Sequence, residues 1–496
     1  MEKGTVFMDE IKDIVDIKRA VLKTVAQYAY EGTIYQKLED IPFEIIQGIT
    51  PKFRCCVYRE REIIRQRVRL ALGRPPRDVL YTDMDPTQVV HVIPCACEGC
   101  PISRFTVTDN CQNCLAQKCI KACPFGAISK TPKGAVIDKT KCKKCGKCYE
   151  ACPYHAIVDI ERPCKKSCPV DAISMDENDI ATIDVTKCIN CGACVVGCPF
   201  GAISDISMMT TVIHDLCGDW NVYAMVAPSI EGQFGPDINL AKIKAGIRAL
   251  GFKEVYEVAL GADMVARNEA GELVENYEQG KRMTSSCCPG FVNLILKHYP
   301  TLKEHVSTTV PPMVAAARYI RAIDPKGIIV FIGPCIAKKN DILAKYLQEI
   351  PYALTFEELD AMFEAKGIRL AEMETDEAEV ATSYGKGFAK SGGVSAAVTR
   401  VLAEEGKNYD IRIAQCSGID ECKKALALLK AGKLPEDFIE GMACKGGCIA
   451  GPGSVKDSLQ VRRGFDKYAK NQNDQILETL EKNHADRFDL HTTHEA

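Results

Sequence analysis

The 496-residue chain contains no run of about eighteen consecutive apolar residues, the length that a membrane-spanning helix requires. Its 63 basic and 66 acidic residues nearly cancel, which leaves a formal net charge of −3. Such a balance gives no reason to expect nucleic acid or an anionic membrane as a partner. The amino-terminal residues also lack the apolar core of a secretory signal. These absences together predict a cytoplasmic protein that binds neither nucleic acid nor membrane.

Phosphate-binding signatures are missing as well. The sequence has no Gly-x-x-x-x-Gly-Lys-Ser/Thr loop and no dinucleotide-binding glycine pattern after a strand. Direct use of a nicotinamide or flavin cofactor is therefore not expected. The eight histidines are scattered along the chain, and two of them, His491 and His494, fall in a tail that we expect to be disordered.

Cysteine is the residue in excess, at 27 copies. Small secreted proteins use such a density for disulfides, but this chain is too long for that class and has no export signal. Many of the cysteines instead occur in clusters with two-residue spacings, followed by a Cys-Pro pair. This pattern predicts metal binding in a reducing setting.

Residues 1–94 are predicted to form a helical amino-terminal region. Ile11 to Tyr30 alternates apolar and charged residues at helical spacing, and Val57 to Leu72 is an amphipathic stretch rich in arginine. These arginines suggest a nucleic-acid face, but no aromatic residues are interleaved with them, so a solvated helix face is favoured. The adjacent Cys55 and Cys56 are left unassigned.

Residues 95–160 and 161–208 are predicted to form two ferredoxin-like domains, of which the second is degenerate. Their common element is a Cys-Pro pair followed by a short strand, which gives a fourfold internal repeat beginning at Cys123, Cys152, Cys168 and Cys198. Strands and helices then alternate through residues 209–470, as in an α/β domain. Residues 471–496 are expected to form a carboxy-terminal helix and tail.

Bacterial ferredoxins with two cubane clusters supply a rule for pairing these cysteines. The first three cysteines of one half bind one 4Fe-4S cluster, and the cysteine before proline completes the other cluster. Applied to residues 95–160, the rule predicts a first accessory set of Cys111, Cys114, Cys119 and Cys152. It also predicts a second accessory set of Cys142, Cys145, Cys148 and Cys123.

Applied to residues 161–208, the same rule predicts a third accessory set of Cys188, Cys191, Cys194 and Cys168. Cys164 and Cys198 are then left without a Cys-x-x-Cys partner. Because Cys97 and Cys100 have that spacing just upstream, we hypothesise a fourth accessory set of Cys97, Cys100, Cys164 and Cys198. The alternative is that Cys95, Cys97 and Cys100 are free thiols or a loop clamp, which would leave three accessory clusters instead of four.

Further cysteines fall in three separated, glycine-bearing motifs: Ser286-Cys287-Cys288-Pro289-Gly290, Gly333-Pro334-Cys335-Ile336-Ala337-Lys338-Lys339 and Met442-Ala443-Cys444-Lys445-Gly446-Gly447-Cys448. This arrangement, downstream of a ferredoxin-like region, closely resembles the active-site signature of FeFe-hydrogenases. The resemblance implies an α/β catalytic domain of FeFe-hydrogenase type, preceded by α+β ferredoxin-like multi-cluster domains and a helical amino-terminal region.

The same resemblance implies a cofactor, the H-cluster, in which a 4Fe-4S cubane is joined to a two-iron unit with carbonyl, cyanide and dithiolate ligands. Its implied ligands are Cys288, Cys335, Cys444 and Cys448, with Cys448 as the bridge. Thiolates suit iron in a sulfur-rich site, and nearby glycines let backbone amides approach the sulfides. In the family, the Cys-Pro pair just before the catalytic domain ligates the cluster nearest to the active site. Cys198 occupies that place, so the fourth accessory set is expected to be the nearest.

Residues that are not ligands receive roles from the resemblance too. Cys287 is expected to pass protons to the two-iron unit, and Glu269, Glu272 and Ser307 to continue the relay. Thiol, carboxylate and hydroxyl groups in series can donate and accept protons. Glutamates on a helix would otherwise be interpreted as surface residues.

Other matched residues are expected to surround the two-iron unit. Lys338 would donate to a cyanide ligand, Ser229 to a diatomic ligand, and Met442 would pack near the bridging ligand. Ala227 and Pro228 belong to the segment that contacts the diatomic ligands, and Gly392-Gly393 resembles another segment of close approach.

Three positions depart from the best-studied subgroup of the family. Gly333 replaces methionine, Phe291 replaces tryptophan, and Lys445 replaces an apolar or small residue. With the extended amino-terminal region, these departures resemble a divergent monomeric subgroup often called group B. Cys217, Cys416 and Cys422 are expected to be core thiols rather than ligands.

The implied activity is that of a ferredoxin-dependent hydrogenase, which reversibly interconverts hydrogen with protons and electrons and needs maturation proteins to supply its two-iron unit. Lys143, Lys144 and Lys147 around Cys145 would dock an acidic ferredoxin. The alternative is a hydrogenase-like iron–sulfur assembly or electron-carrier protein without hydrogen chemistry, against which Cys287 and Lys338 argue. A hydrogen sensor would carry an appended signalling domain, and none is visible in the sequence.

Overall fold

The structure is a computed structural model, and it describes residues 13–77, 85–100, 104–374, 380–468 and 474–493. Ile11 and His494 therefore lie outside the described residues. The amino-terminal region is helical, with helices at Ile14–Tyr30, Ile34–Lys37, Ile41–Ile45 and Val57–Ala71. The first of them begins with a capping box, in which the Asp13 and Asp16 carboxylates each accept from the other's backbone N–H at 3.0 and 3.2 Å.

The arginine-rich helix Val57–Ala71 is not the solvated face that its composition favours. Arg67 is only 5% exposed and donates from Nη2 to the Gly201 carbonyl at 2.6 Å. Arg59 donates from Nε to the Cys95 carbonyl at 2.9 Å. The prediction is wrong at these positions because the helix faces cysteine-bearing loops whose carbonyl groups accept from the guanidinium groups.

The ferredoxin-like region is built from four antiparallel strand pairs and short helices. The pairs are Phe105–Val107 with Ile157–Asp159, Ile128–Thr131 with Gly134–Ile137, Ile173–Met175 with Ala181–Ile183, and Val90–Val92 with Ile203–Asp205. The helices are Lys118–Lys121, Lys147–Ala151, Pro163–Ser167 and Ala193–Gly197. The strand at Val90–Val92 thus comes from just upstream of the cysteine-rich region and closes its second half.

The fourfold Cys-Pro repeat is a repeated turn as well as a repeated sequence. In each copy, the third residue after the cysteine has a positive φ, between 50° and 58°, at Gly126, His155, Asp171 and Gly201. The next backbone N–H then points at the cysteine sulfur, with N···S distances of 3.4, 3.4, 3.2 and 3.4 Å. Each Cys-Pro sulfur therefore receives a backbone hydrogen bond of the kind that stabilises a ligating thiolate.

Two parallel sheets form the α/β catalytic region, as the sequence predicts. In the larger sheet, the strand order is Glu254–Glu257, Val222–Val226, Ile328–Ile332, Tyr352–Leu354; in the smaller it is Met283–Thr284, Phe438–Met442, Ile413–Ser417. The main helices are Met209–Leu216, Leu240–Ala249, Val258–Glu278, Pro289–His298, Pro312–Ile323, Ile336–Asp341, Phe356–Lys366, Ser383–Gly387, Gly393–Glu404, Ile419–Lys430, Ser458–Tyr468 and Ile476–Lys482. None of the described helices is both long and apolar enough to cross a bilayer.

The cysteine motifs follow the carboxyl ends of strands. Cys288 comes shortly after Met283–Thr284 and precedes a helix, Cys335 comes shortly after Ile328–Ile332, and Cys444 comes shortly after Phe438–Met442. The carboxyl ends of parallel strands lie at one edge of a sheet, where ligands of α/β proteins bind. Within the smaller sheet, this topology brings together the motifs of Cys288 and Cys444, which are 156 residues apart.

The carboxy-terminal segment is ordered against this region up to residue 493. The Thr492 backbone N–H donates to the Thr308 carbonyl at 2.7 Å, and His491 Nδ1 lies 3.2 Å from Thr308 Oγ1. The expectation of a disordered tail is therefore wrong at His491. Cys416 and Cys422 are buried as expected, whereas Cys217 is exposed.

A buried ionic network joins all three regions. Lys339 donates from Nζ to Asp205 Oδ2 at 2.8 Å and to both Glu358 carboxylate oxygens at 3.0 Å. Lys18 of the first helix reaches Asp205 Oδ1 at 3.2 Å. Asp205 ends a ferredoxin-like strand, and Lys339 lies on the helix that follows Cys335, so the network ties the cysteine-rich region to the catalytic region.

We expect Lys339→Met to destabilise the protein by about 3–5 kcal/mol, because it leaves the buried Glu358 carboxylate without its cation and Asp205 with Lys18 alone. The measurement is the apparent Tm of the anaerobically purified protein by calorimetry. The control is Lys345→Met, since Lys345 forms a more exposed pair with Asp341 at 3.5 Å. An equal Tm for both variants would contradict the role of the network.

Candidate active site

Four cysteines of the three motifs converge at the ends of the two sheets. Burial, and then the charge of Cys288, raise the pKa of Cys335 to about 11, while the charge of Lys338 acts against that rise. Burial, and then Cys335 and Cys288, raise the pKa of Cys448 to about 12. The same causes raise the pKa of Cys444 well above its ordinary value. These thiols are therefore close enough to repel one another as thiolates, and a cationic group between them would relieve that repulsion.

The chemistry of this donor set fits a multi-iron cluster. All 27 cysteines are free thiols, and soft thiolates are the preferred ligands of iron–sulfur clusters. Across the described ranges, no three cysteine, histidine or acidic groups lie close enough to hold one metal ion. A cubane differs from a single ion because each thiolate binds a different iron, so wider spacing suits it.

A cavity of about 530 Å³, counted with its opening to solvent, is lined by Cys288, Cys335 and Cys448 of the four cysteines. Its wall is mainly apolar, with Cys287, Cys288, Cys335, Cys448, Ser229 and Lys338 as the polar or thiol groups and Ala227, Pro228, Val258, Ala262, Pro312, Phe331, Pro334, Phe388, Ala389 and Met442 around them. The structure thus brings most of the residues matched by resemblance to one cavity.

Two polar groups of this wall lack protein partners. The Ser229 hydroxyl is fully buried and has no hydrogen-bond partner in the described part of the chain. Lys338 is 9% exposed, and its Nζ lies 5.3 Å from the centroid of the Phe331 ring, but no carboxylate of the described residues pairs with it. Buried donors without acceptors are costly, so the cavity fits an anionic group that accepts hydrogen bonds.

Two predicted residues do not reach the cavity. Gly392 and Gly393 are absent from its wall, and the Gly392 backbone N–H donates instead to Glu440 Oε1 at 2.7 Å. A Cβ on Gly393 would lie 1.9 Å from the Gly387 carbonyl oxygen. Their close approach is therefore to a neighbouring helix, and the assignment to cofactor binding is corrected: Phe388 and Ala389 line the cavity in their place.

Phe331 is a cavity residue that the sequence motifs do not reveal. A Cβ on Gly333 would lie 2.5 Å from its ring, so the ring occupies the space beside Gly333. Glycine at position 333 could have indicated this role for Phe331, because a missing side chain in a tightly packed wall requires a neighbour to fill its volume.

Cys287 begins a series of buried polar groups that leads away from the cavity. Its thiol is fully buried, and burial, followed by the charge of Glu269, raises its pKa well above the ordinary value. Glu269 is buried as well: its Oε1 accepts from the Ser286 backbone N–H at 3.3 Å and from the Ser286 hydroxyl at 3.4 Å. Glu269 Oε2 has no hydrogen-bond partner among the described residues.

The outer end of the series is Glu272. Its Oε2 accepts from the Ser307 hydroxyl at 2.6 Å and from the Thr309 hydroxyl at 3.2 Å. The Thr309 backbone N–H donates to Ser307 Oγ at 3.2 Å, and its carbonyl accepts from the Ser286 hydroxyl at 2.5 Å. Glu272, together with Thr308 and His491, lines an open surface groove. Ser286 and Thr309 were missed in the sequence, although each lies within two residues of a predicted relay residue.

The accessory thiols also lie in groups. In the first accessory set, the charges of Cys152 and Cys114 contribute, after burial, to the raised pKa of Cys119. In the second, those of Cys142 and Cys123 do the same for Cys148. In the fourth, those of Cys198, Cys97 and Cys100 do so for Cys164. Each set therefore contains thiols near one another in space.

The third accessory set adjoins the catalytic cysteines. Burial, then Cys188, Cys168 and Cys335, raise the pKa of Cys191 to about 12, and Cys191 in turn raises that of Cys444. Cys198 instead lies with the fourth set. The expectation that the Cys198 set is nearest to the active site is therefore wrong. Cys198 groups with Cys164, Cys97 and Cys100, as the ferredoxin pairing rule predicts for a cysteine before proline.

A family model described as the iron-only hydrogenase large subunit, C-terminal domain, matches residues 220–452. A 4Fe-4S binding domain matches residues 135–158 and the LdpA Fe-S cluster-binding domain residues 158–209. The periplasmic Fe hydrogenase large subunit of Nitratidesulfovibrio vulgaris is 30% identical over 284 residues, which cover 46% of this chain and 68% of that relative. The chain belongs to the FeFe-hydrogenase family. Iron hydrogenase 1 of Clostridium pasteurianum is 30% identical over 285 residues, 47% of this chain and 50% of that protein, so the chain spans about half the length of that FeFe-hydrogenase.

Some relatives of this chain are named for iron–sulfur cluster assembly instead of hydrogen chemistry. Cytosolic iron-sulfur assembly component 3 of Bos taurus is 23% identical over 285 residues, 46% of this chain and 60% of that protein. Among solved structures, an FeFe-hydrogenase from Chlamydomonas reinhardtii is 19% identical with a TM-score of 0.45, and the match covers 56% of this chain and 94% of that one. Membership alone therefore does not decide between hydrogen chemistry and iron–sulfur assembly.

The buried Glu269 should titrate near neutral pH. Burial raises its pKa from 4.5 to about 8, so the folded protein holds it protonated at pH 7. The folded protein therefore binds this proton more tightly than the unfolded chain does. The resulting contribution to stability is fully present below the ordinary glutamate pKa and is lost as the pH rises through about 8. We expect a carboxylic-acid infrared band that disappears near pH 8 and is missing in Glu269→Gln. The control is Glu278→Gln on the same helix, which should retain the band. Its persistence in Glu269→Gln would contradict the assignment.

Proposed function

We propose that this chain is a catalytic FeFe-hydrogenase that reversibly interconverts hydrogen with protons and electrons. The observation that carries the proposal is the series of polar groups from the buried Cys287 to the half-buried Glu272, which leads from the apolar cavity to the surface groove. An assembly or carrier protein needs cubane ligands, but it has no use for a proton path into an apolar cavity.

In this proposal, Cys288, Cys335, Cys444 and Cys448 hold the cubane of the H-cluster, and Cys448 is shared with the two-iron unit that maturation proteins supply. When bound, the H-cluster supplies the iron at which the hydrogen–hydrogen bond is made or broken. Lys338 provides a buried positive charge that the anionic ligands would balance. Ser229 offers its free hydroxyl to an acceptor, while Met442 and Phe331 help to exclude water from the cavity.

Proton movement is then the task of this chain's own groups. The Cys287 thiol holds a proton at the cavity wall, because its raised pKa keeps it protonated. Glu269, with a pKa of about 8, exchanges protons near the working pH, which is the condition for efficient acid–base catalysis. The Ser286 and Ser307 hydroxyls and Glu272 carry the proton between Glu269 and the surface groove.

Electrons would pass between the active site and an external ferredoxin. The third accessory set adjoins the catalytic cysteines, so a cluster there is the natural last step of the relay. At the other end, Cys145 is exposed and is surrounded by the exposed Lys143, Lys144 and Lys147. This patch supports docking of an acidic ferredoxin near the second accessory set.

Removal of the Cys287 thiol tests the proton path. After maturation, we expect Cys287→Ala to show the carbonyl and cyanide infrared bands of the H-cluster but to lose about 10²–10⁴-fold in hydrogen turnover, the usual contribution of a positioned acid–base group. The control is Cys217→Ala, which removes an exposed thiol. Equal activity in Cys287→Ala would contradict the relay role alone. Absence of the infrared bands from fully matured wild type would contradict the enzyme and favour the assembly protein.

Reversal of the lysine patch tests the electron partner. The triple variant Lys143→Glu, Lys144→Glu, Lys147→Glu should lower kcat/KM with an acidic ferredoxin about tenfold or more at low salt, because it removes electrostatic steering. Turnover with methyl viologen, a small cationic carrier, should not fall. The control is Lys326→Glu, remote from the cysteine-rich region. An undiminished rate with ferredoxin would show that the partner docks elsewhere.

A further inference from the structure

The arginine-rich segment of the amino-terminal region holds both loops of the fourth accessory set. Arg59 donates to the Cys95 carbonyl at 2.9 Å and to the Cys97 carbonyl at 3.4 Å. Arg54 donates to the Phe200 carbonyl at 3.1 Å, and Arg67 donates to the Gly201 carbonyl at 2.6 Å. One loop carries Cys97 and Cys100, and the other is the turn after Cys198. The segment therefore contacts both loops that carry the cysteines of this set.

The same arginines neutralise the acidic residue between the two cysteines of the first loop. Glu98 Oε1 lies 3.1 Å from Arg54 Nε and 3.0 Å from Arg59 Nη2. With its carboxylate paired twice, Glu98 adds little net negative charge beside the thiols. The charge balance at this set is thus decided by the remaining guanidinium groups.

Only two of the arginines within the described ranges are buried, Arg67 and Arg162, and both belong to this set. Arg67 lies near Cys198 and Cys95: burial lowers its pKa to about 10, and the charges of those two thiols act against that lowering. Arg162 lies near Cys100, because its charge opposes the rise that burial causes in the pKa of that thiol.

Both side chains also contain N–H groups that are not used in hydrogen bonds to the described residues. Arg67 Nε, Arg162 Nε and Arg162 Nη2 are buried without a hydrogen-bond partner in the described part of the chain. Arg162 Nη1 donates to the Asp179 carbonyl at 2.6 Å, and its Nη2 lies 3.7 Å from the half-exposed Asp179 carboxylate. Buried cations with free N–H groups call for a negatively charged partner. An iron–sulfur cluster with four thiolate ligands is such a partner.

Within the described residues, no buried arginine accompanies the other accessory sets. Near the third set, Lys297 donates to the Cys188 carbonyl at 2.7 Å, but this lysine is exposed to solvent. The lysines around the second set are exposed as well. Solvent screens such charges far more than it screens a buried guanidinium.

We propose that Arg67 and Arg162 raise the reduction potential of a cubane held by the fourth accessory set, so that this site is the electron reservoir of the relay. The inference rests on the proposed function in assuming a cluster there. When the site fills, its cluster gains one electron and a neighbouring cluster loses one, with no bond made or broken. The reduced cluster carries one more negative charge, which nearby buried cations stabilise, and net charge is one of the properties that set cluster potentials.

The test is a redox titration of the full-length, anaerobically purified protein, followed by electron paramagnetic resonance, with iron and sulfide analysis of every sample. In wild type we expect about sixteen accessory irons, since each cubane holds four, and one cubane that is reduced before the others. At the midpoint of that cubane, Arg67→Gln and Arg162→Gln should each lower the reduced-to-oxidised ratio by about threefold or more. Arg67→Lys retains the charge and should stay close to wild type. The matched control is Arg65→Gln on the same helix, because Arg65 pairs with Glu39 and Glu62 near the surface.

Unchanged titration in both glutamine variants at full iron content would overturn the inference. Loss of one cubane from both variants would overturn it too, because the arginines would then hold the loops instead of tuning a potential. About twelve accessory irons in wild type would remove the fourth cluster itself. That result is separable from failure of the hydrogenase proposal, which the infrared bands and the Cys287→Ala turnover decide.

Discussion

The structure depends on one electrostatic constraint: cysteine thiolates gathered in small spaces repel one another unless a cationic centre lies between them. Burial and neighbouring thiols raise the pKa values of Cys191, Cys335 and Cys448 to about 11 or 12, so as free thiols they would stay protonated. Iron deprotonates its thiol ligands and thereby couples binding to folding.

The coupling matters most where little else holds the chain together. In the first ferredoxin-like domain, the buried apolar cluster consists of Phe105, Ile128, Cys148 and Ile157, too small a core to stabilise such a domain. Its clusters must therefore act as its core, and loss of iron should unfold this domain before the α/β region.

The α/β region meets the same constraint by topology. Its ligands come from distant motifs, and parallel strands bring them to one edge of each sheet. Cys335 immediately precedes a helix, and the backbone N–H groups of Ala337 and Lys338 in its first turn hydrogen-bond to the thiol and lower its pKa against the effect of burial. Such termini favour negative charge. The cavity lies beside these thiols, and Pro312 and Phe331 contribute apolar side chains to its wall.

The sequence predicts what depends on short-range spacing. The Cys-Pro repeats and the α/β alternation follow from local patterns, whereas Ser307 and Glu272, 35 residues apart, were paired through the family resemblance. It fails where a role depends on which surfaces pack together. Arg67 looks like a solvated charge because its carbonyl partner, Gly201, is 134 residues away. Phe331 looks like an ordinary strand residue until Gly333 is seen to leave space for its ring. The assignment of the nearest cluster was wrong for a different reason. In a ferredoxin fold, the cysteine before proline serves a different cluster from the three cysteines that precede it, so the position of Cys198 just before the α/β region in sequence does not place its set next to the candidate active site.

The choice between an enzyme and an assembly protein depends on buried polar groups that lower the stability of the fold and that a cubane alone does not need. Ser229 Oγ and Glu269 Oε2 are buried without hydrogen-bond partners among the described residues, and Lys338 is buried with no carboxylate beside it. Each such group costs about 1–3 kcal/mol, or more when it is charged. A protein that only carries a cubane would lose nothing by replacing them with apolar side chains. These groups lie at the cavity or directly behind Cys287, rather than around the accessory thiols. Their position is what is expected if the cavity admits a second, anionic unit and a proton. Burial of Arg67 and Arg162 carries the same cost, and a negatively charged cluster beside them would offset it.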